Sequence, residues 1–131
     1  CEFFLQPFSG GPYYNFECNA AEKMYIAYGT GREGRQQVPP SQYHSVKRWS
    51  SFGRKAFPEQ KGRQTWQLAL VIPLDVLTAH HLRNPRGMTM RANFYKCGDK
   101  LARPHFLSWS PVECDHPDFH RPSSFGKITF L

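Results

Sequence analysis

The chain has 131 residues, one domain's worth. Hydrophobic residues make up 40% and charged residues 21%, which excludes a disordered chain. The formal charge is +7, but Arg32, Arg35, Lys47, Arg48, Arg54, Lys55, Lys61 and Arg63 are spread through a Gly- and Pro-rich middle with no dense run. They read as solvated loop charges and not as a nucleic-acid footprint.

Aromatics reach 15%, and 11 prolines and 10 glycines punctuate the chain. That pattern favours short strands and turns over helices. Glu2 to Gln6 is the first strand, without clean alternation and so buried on both faces. Its abrupt start predicts that residues 1–131 are the C-terminal part of a longer domain whose first strands lie upstream. Pro7 to Pro12 is a turn. Tyr13 to Asn19 alternates, with Tyr14, Phe16 and Cys18 facing inward and Tyr13, Asn15, Glu17 and Asn19 outward. Met24 to Tyr28 follows, and the three strands form an antiparallel meander.

Gly29 to Gln42 reads as a loop. Ser45 to Ser50 is a short strand carrying Trp49, and Ser51 to Gly62 is again a loop. Thr65 to Ile72 puts Trp66, Leu68, Leu70 and Ile72 on one face, a core pattern. Pro73 to Leu77 is a single helical turn with Pro near its first position. Met90 to Trp109 is a strand, a turn at Gly98-Asp99 and a second strand. Met90, Ala92 and Phe94 make its apolar face; Arg91, Asn93 and Tyr95 make its polar face. Ser110 to Ser124 is irregular, and Phe125 to Phe130 closes the chain as a strand. The fold class is all-β: an antiparallel β-sandwich of jelly-roll type with one short helical turn.

Four cysteines at 1, 18, 97 and 114 show no C-x-x-C pair, and sequence cannot choose among their pairings. No run of about 18 apolar residues occurs, the length that a membrane-crossing helix needs, so no membrane insertion is expected. Paired carboxylates for glycoside hydrolysis could be Glu17 with Asp99 or Glu113, though nothing in the spacing forces them together. Cys97, Asp99, His105, Cys114, His116 and His120 are metal-ligand types without the close pairs of a zinc site. Asp115 and Asp118 with loop carbonyls could hold a calcium ion; the bland reading makes these histidines surface loop residues. Trp109, in Ser-Trp-Ser-Pro, is either half-buried packing or a platform for a pyranose ring. Trp49, between loops, is a second candidate platform.

Arg91-Ala-Asn-Phe-Tyr-Lys, Phe-Leu-Ser-Trp-Ser-Pro at 106–111, and the stretch from Asp118-Phe-His-Arg to Gly126-Lys-Ile-Thr-Phe resemble the C-terminal signature of family 9 carbohydrate-binding modules. Glu2-Phe-Phe-Leu and Tyr13-Tyr-Asn-Phe-Glu17 resemble that family's upstream strands. The Lys-Cys-Gly-Asp-Lys turn is similar to the bacterial family-9-like variety. The resemblance implies a non-catalytic β-sandwich that binds plant-type polysaccharide, xylan- or cellulose-like. It implies an attached glycoside hydrolase, a secreted or cell-envelope location, structural calcium and a sugar gripped between two tryptophans. Trp109 matches the motif tryptophan; Phe3, Tyr13 and Trp49 are candidates for the other stacking residue. The expected site is Trp109 and Trp49 for stacking, with Arg91, Asn93, Tyr95, Asn15 and Glu17 bonding hydroxyls and Glu17 pairing with Arg91. A glycoside hydrolase domain and a β-sandwich of purely structural or interaction role are the alternatives.

Overall fold

A computed structural model describes residues 1–131. Five strands form an unbroken antiparallel path: β4 (Gln36–Gln37), β3 (Met24–Gly29), β2 (Tyr13–Cys18), β1 (Glu2–Gln6) and β7 (Thr89–Cys97). One edge of β7 serves two partners. Its first half pairs with β9 (Gly126–Thr129) and its second half with β8 (Phe106–Ser108). A separate antiparallel pair, β5 (Lys47–Ser50) and β6 (Leu68–Val71), makes a second, smaller sheet. The architecture is an antiparallel β-sandwich with a large sheet and a small one.

β1 is central because its residues are apolar in both directions. Phe4 and Leu5 are adjacent, point to opposite faces and are both buried. Full burial of each such side chain contributes roughly 1.5–3 kcal/mol. On the first face Leu5, Tyr14, Phe16, Ile26, Met90 and Ala92 pack under Val38, Val46, Val76 and Leu77. On the second face Phe4, Tyr13 and Tyr95 pack with Phe125, Phe119 and Val112.

The expected loop at 29–42 contains β4 and leads into a short helix, α1 (Pro40–Ser45), with Pro at its start. Proline's fixed φ suits a first helical position; the six residues carry no apolar periodicity, so sequence gave no helical signal. The expected turn after Pro73 is a 3-10 turn at Leu74–Val76, and another stands at Pro122–Ser124.

The outward side of β2 and β7 differs from expectation. Tyr13, Asn15, Asn93 and Tyr95 are buried, because the irregular stretch 110–125 lies over that face. Side-chain bonds hold it there. Asn93 is the splice where β7 changes partner: its Oδ1 accepts the Ser110 N–H at 2.8 Å and its Nδ2 donates to the Ser110 carbonyl at 3.0 Å. Arg91 donates to the Ser123 and Phe125 carbonyls. Tyr95 donates to the Phe119 carbonyl, and the Tyr13 hydroxyl and His120 Nδ1 share a bond of 2.8 Å.

Removing Asn93 leaves the half-buried N–H and C=O of Ser110 without partners. Orphaned buried groups cost about 1–3 kcal/mol each. Asn93→Ala is expected to lose about 2–4 kcal/mol in urea unfolding. A loss below about 0.5 kcal/mol, the range of ordinary surface changes, contradicts the splice role.

Candidate functional site

The first face is covered only in part. Past Phe16 the small sheet stands off the large one and leaves an open apolar groove of about 710 Å³. Its floor is an aromatic ladder across three strands. Register places Phe3 opposite both Phe16 and Phe94. Phe3 stacks on Phe94 with centroids 4.9 Å apart and on Phe16 at 5.9 Å. Phe94, expected in the core, is 47% exposed, because no element covers this end.

Trp109 continues the ladder. Its N–H donates to the Phe94 carbonyl, and its ring meets Phe94 edge-on at 5.8 Å. The indole also lies over Gly126, where a Cβ would sit 2.6 Å from a ring carbon. That contact explains a glycine at this strand position, since only a missing side chain lets the ring approach. Trp109 is 54% exposed.

The opposite wall comes from β6 and the residues beside it. Trp66, Leu68, Leu70 and Ile72 line the groove. Their alternation was legible, but it reads as core where the structure leaves a gap. Trp66 is half-buried and is backed by Phe52, stacked at 6.4 Å and 29°. Two tryptophans, one just before β6 of the small sheet and one just after β8 of the large sheet, therefore line one groove. Trp49 pairs with Ala69, in the opposite alternation from Leu68 and Leu70. It is 52% exposed on the outer side of the small sheet, away from the groove.

The predicted polar residues do share a face, but it is not Trp109's face. Register aligns Asn15 with Phe4 and Asn93, and Glu17 with Glu2 and Tyr95. Their polar atoms serve their own chain. Arg35 Nε and Nη2 donate to Asn15 Oδ1, and Asn15 Nδ2 donates to Glu17 Oε1 at 2.6 Å. Arg91 lies opposite Gln6 and Lys127, four residues along β7 from the Glu17 level, so the Glu17–Arg91 pair does not form. Arg35 is no solvated loop charge: it sits over the Tyr13 ring at 4.3 Å and donates to the Tyr13 and Gly31 carbonyls.

The acids and metal-ligand types are dispersed. Asp118 accepts the His120 N–H and stands 3.5 Å from Arg32 and 3.4 Å from Arg121. No three His, Cys, Asp or Glu groups come together. All four cysteines are free thiols.

Glu2 and His120 are among the groups whose pKa values are displaced. Burial, then the charge of Glu17, lifts the Glu2 carboxyl to about 7. Burial, then the nearby Arg35, lowers the His120 imidazole to about 4. For His120 the folded value lies below the unfolded 6.5, so its contribution to stability is present above 6.5 and is lost as pH falls towards 4. Glu2 acts oppositely: its contribution is present below 4.5 and fades as pH rises through 7. His120→Gln is expected to flatten the loss of stability between pH 6.5 and about 4, measured as the urea midpoint against pH. An unchanged slope in that window excludes His120 as the responsible group.

A profile of carbohydrate-binding family 9 matches residues 1–130. The chain is similar to the crystal structure of a candidate carbohydrate-binding protein from Bacteroides uniformis, with 45% identity and a TM-score of 0.93 over 99% of this chain. It spans 60% of that protein's length. No curated protein matches. With the profile covering nearly every residue and the sandwich reproduced at that identity, the chain belongs to carbohydrate-binding family 9.

Proposed function

We propose that the chain is a non-catalytic glycan-binding module that takes a xylan- or cellulose-like saccharide into the groove between its sheets. The observation that carries this is the pair Trp109 and Trp66, which flank strands of different sheets and line one open groove. A pyranose presents a flat C–H face to an indole, and two indoles flanking a groove offer such a platform on each side. Lys96, which lies opposite Leu107 on the Phe94 face, is the charged side chain along the lining, and it replaces the polar set expected from sequence as a partner for hydroxyls. The remaining expectations fit this use: secretion, and a glycoside hydrolase on the same chain or working alongside it.

The Glu2–Glu17 cross-strand pair favours a second reading, a glycoside hydrolase, because one of its carboxyls stays protonated towards neutrality. Register puts both carboxyls on the Tyr95 face, opposite to Trp109, so the pair does not flank a sugar in the groove. Release of reducing ends from xylo- or cello-oligosaccharide, abolished by Glu2→Gln, would favour the hydrolase.

Titration calorimetry with xylohexaose and cellohexaose separates the residues. Trp109→Ala and Trp66→Ala are each expected to weaken binding about 10- to 100-fold, the scale of aromatic stacking on a flat ring. Trp49→Ala is expected to bind like the parent. Equal losses at all three positions, or none at Trp109 and Trp66, rule the groove out.

Gly126→Ala tests the seat of the indole. The added methyl meets the Trp109 ring, which must move. Lower glycan affinity and altered tryptophan fluorescence are expected, with the thermal midpoint within a few degrees of the parent's. Parent-like affinity shows that the Trp109 position does not matter.

A further inference from the structure

The loop from Ser51 to Gln67 joins β5 to β6, and it does not stay over its own sheet. At its far point the Glu59 carboxylate accepts the Ala102 N–H, at 3.2 and 3.1 Å from its two oxygens. The loop therefore reaches the turn between β7 and β8. It then returns to the groove at Trp66. Lys61 and Arg63 lie on that return, and both are exposed. Lys100 and Arg103 lie on the turn that it reaches, also exposed, and Lys96 is in the groove lining. None of the five has a carboxylate within 4.0 Å, the ion pairs being confined to Arg32, Arg54 and Arg121.

The acids at this end offset them only in part. Glu59 keeps its charge but spends both oxygens on the Ala102 N–H and pairs with none of the five. Glu2 is protonated in part at neutral pH, because burial lifts it to about 7. Asp99, beside Cys97, is the carboxylate on the turn itself. Lys96 bonds the His105 ring, and the other four cations, Lys61, Arg63, Lys100 and Arg103, make a positive rim at one end of an apolar groove whose aromatic floor carries no charge. Such a rim attracts anions across roughly a Debye length, about 10 Å at 0.1 M salt.

We propose that the saccharide recognised by this groove is acidic, with its ring on the tryptophans and its carboxylate or sulfate groups against Lys61, Arg63, Lys100 and Arg103. This rests on the glycan-binding reading above and specifies its ligand class. Arg63 and Arg103 suit a planar carboxylate or two oxygens of a sulfate group, which a guanidinium meets with two parallel N–H bonds. Lys61 and Lys100 add point charge.

The test compares hexasaccharides by calorimetry at about 20 mM and about 500 mM salt, conditions that span weak and strong screening. The probes are neutral xylohexaose, a hexagalacturonide carrying carboxylates and a sulfated hexasaccharide, with a single-stranded oligonucleotide as a polyanion of another kind. One or both acidic sugars are expected to bind about 10-fold tighter than the neutral one at low salt, with the advantage lost at high salt. The acidic sugar that gains identifies the group. The Lys61→Gln, Arg63→Gln double variant is expected to lose most of that advantage and to keep the neutral affinity and the thermal midpoint. Equal affinity for neutral and acidic sugars overturns the acidic specificity and leaves the groove reading standing. Failure of every saccharide overturns both. An oligonucleotide bound as tightly as the acidic sugar, or a preference unchanged in the double variant, also overturns the proposal.

Discussion

Phe3 and Phe4 are neighbours that must bury themselves on opposite sides of one sheet. This constraint organises the molecule. A sheet with apolar residues on both sides at its central strand needs two covers, and the chain has only one other sheet. The small sheet, α1 and the turn at Leu74–Val76 cover the first face. The second face is left to a segment with no regular structure.

An irregular segment carries backbone groups that find no ladder, so side chains must satisfy them. That is the use of the polar residues on β2 and β7. Arg91, Asn93 and Tyr95 bond four backbone carbonyls of the stretch 110–125 between them, and Asn93 also takes an N–H. Tyr13 reaches His120 from β2. Arg35 plays a similar part from the β3–β4 connection, with Asn15 linking it to Glu17. A buried network of this kind stabilises only when every member is paired, and here the members pair with one another and with the cover.

The same arrangement opens the groove. Because the second face is sealed by a segment that starts at Ser110, Trp109 stands at the boundary, on the other face. It is held by the Phe94 carbonyl and rests on Gly126. The small sheet approaches the ladder of Phe16, Phe3 and Phe94 without filling the gap, so Trp66 becomes a wall where its own strand pattern reads as core. The loop that follows β5 is anchored at Ala102 by Glu59, and this contact carries basic residues to the groove's end.

Much of this was legible in the amino-acid order. Alternation gave β2, β6 and β7, the doubly apolar β1 announced a central strand, and Pro73 marked its turn. Alternation also put Asn15, Glu17, Arg91, Asn93 and Tyr95 on one face, and the ordered motifs pointed to the family. These are local properties, set by side-chain period and backbone chemistry. What covers each face was not local. A polar side chain that meets water and one that ties down a loop look alike in sequence, so Asn93 and Tyr95 read as exposed and are buried. An apolar strand face reads the same whether its partner touches it or stands off, so Trp66 and Phe94 read as core and line a groove. Only the tertiary structure, by choosing which segment lies over which side of β1, decided which residues face solvent and placed Trp66 and Trp109 at one groove.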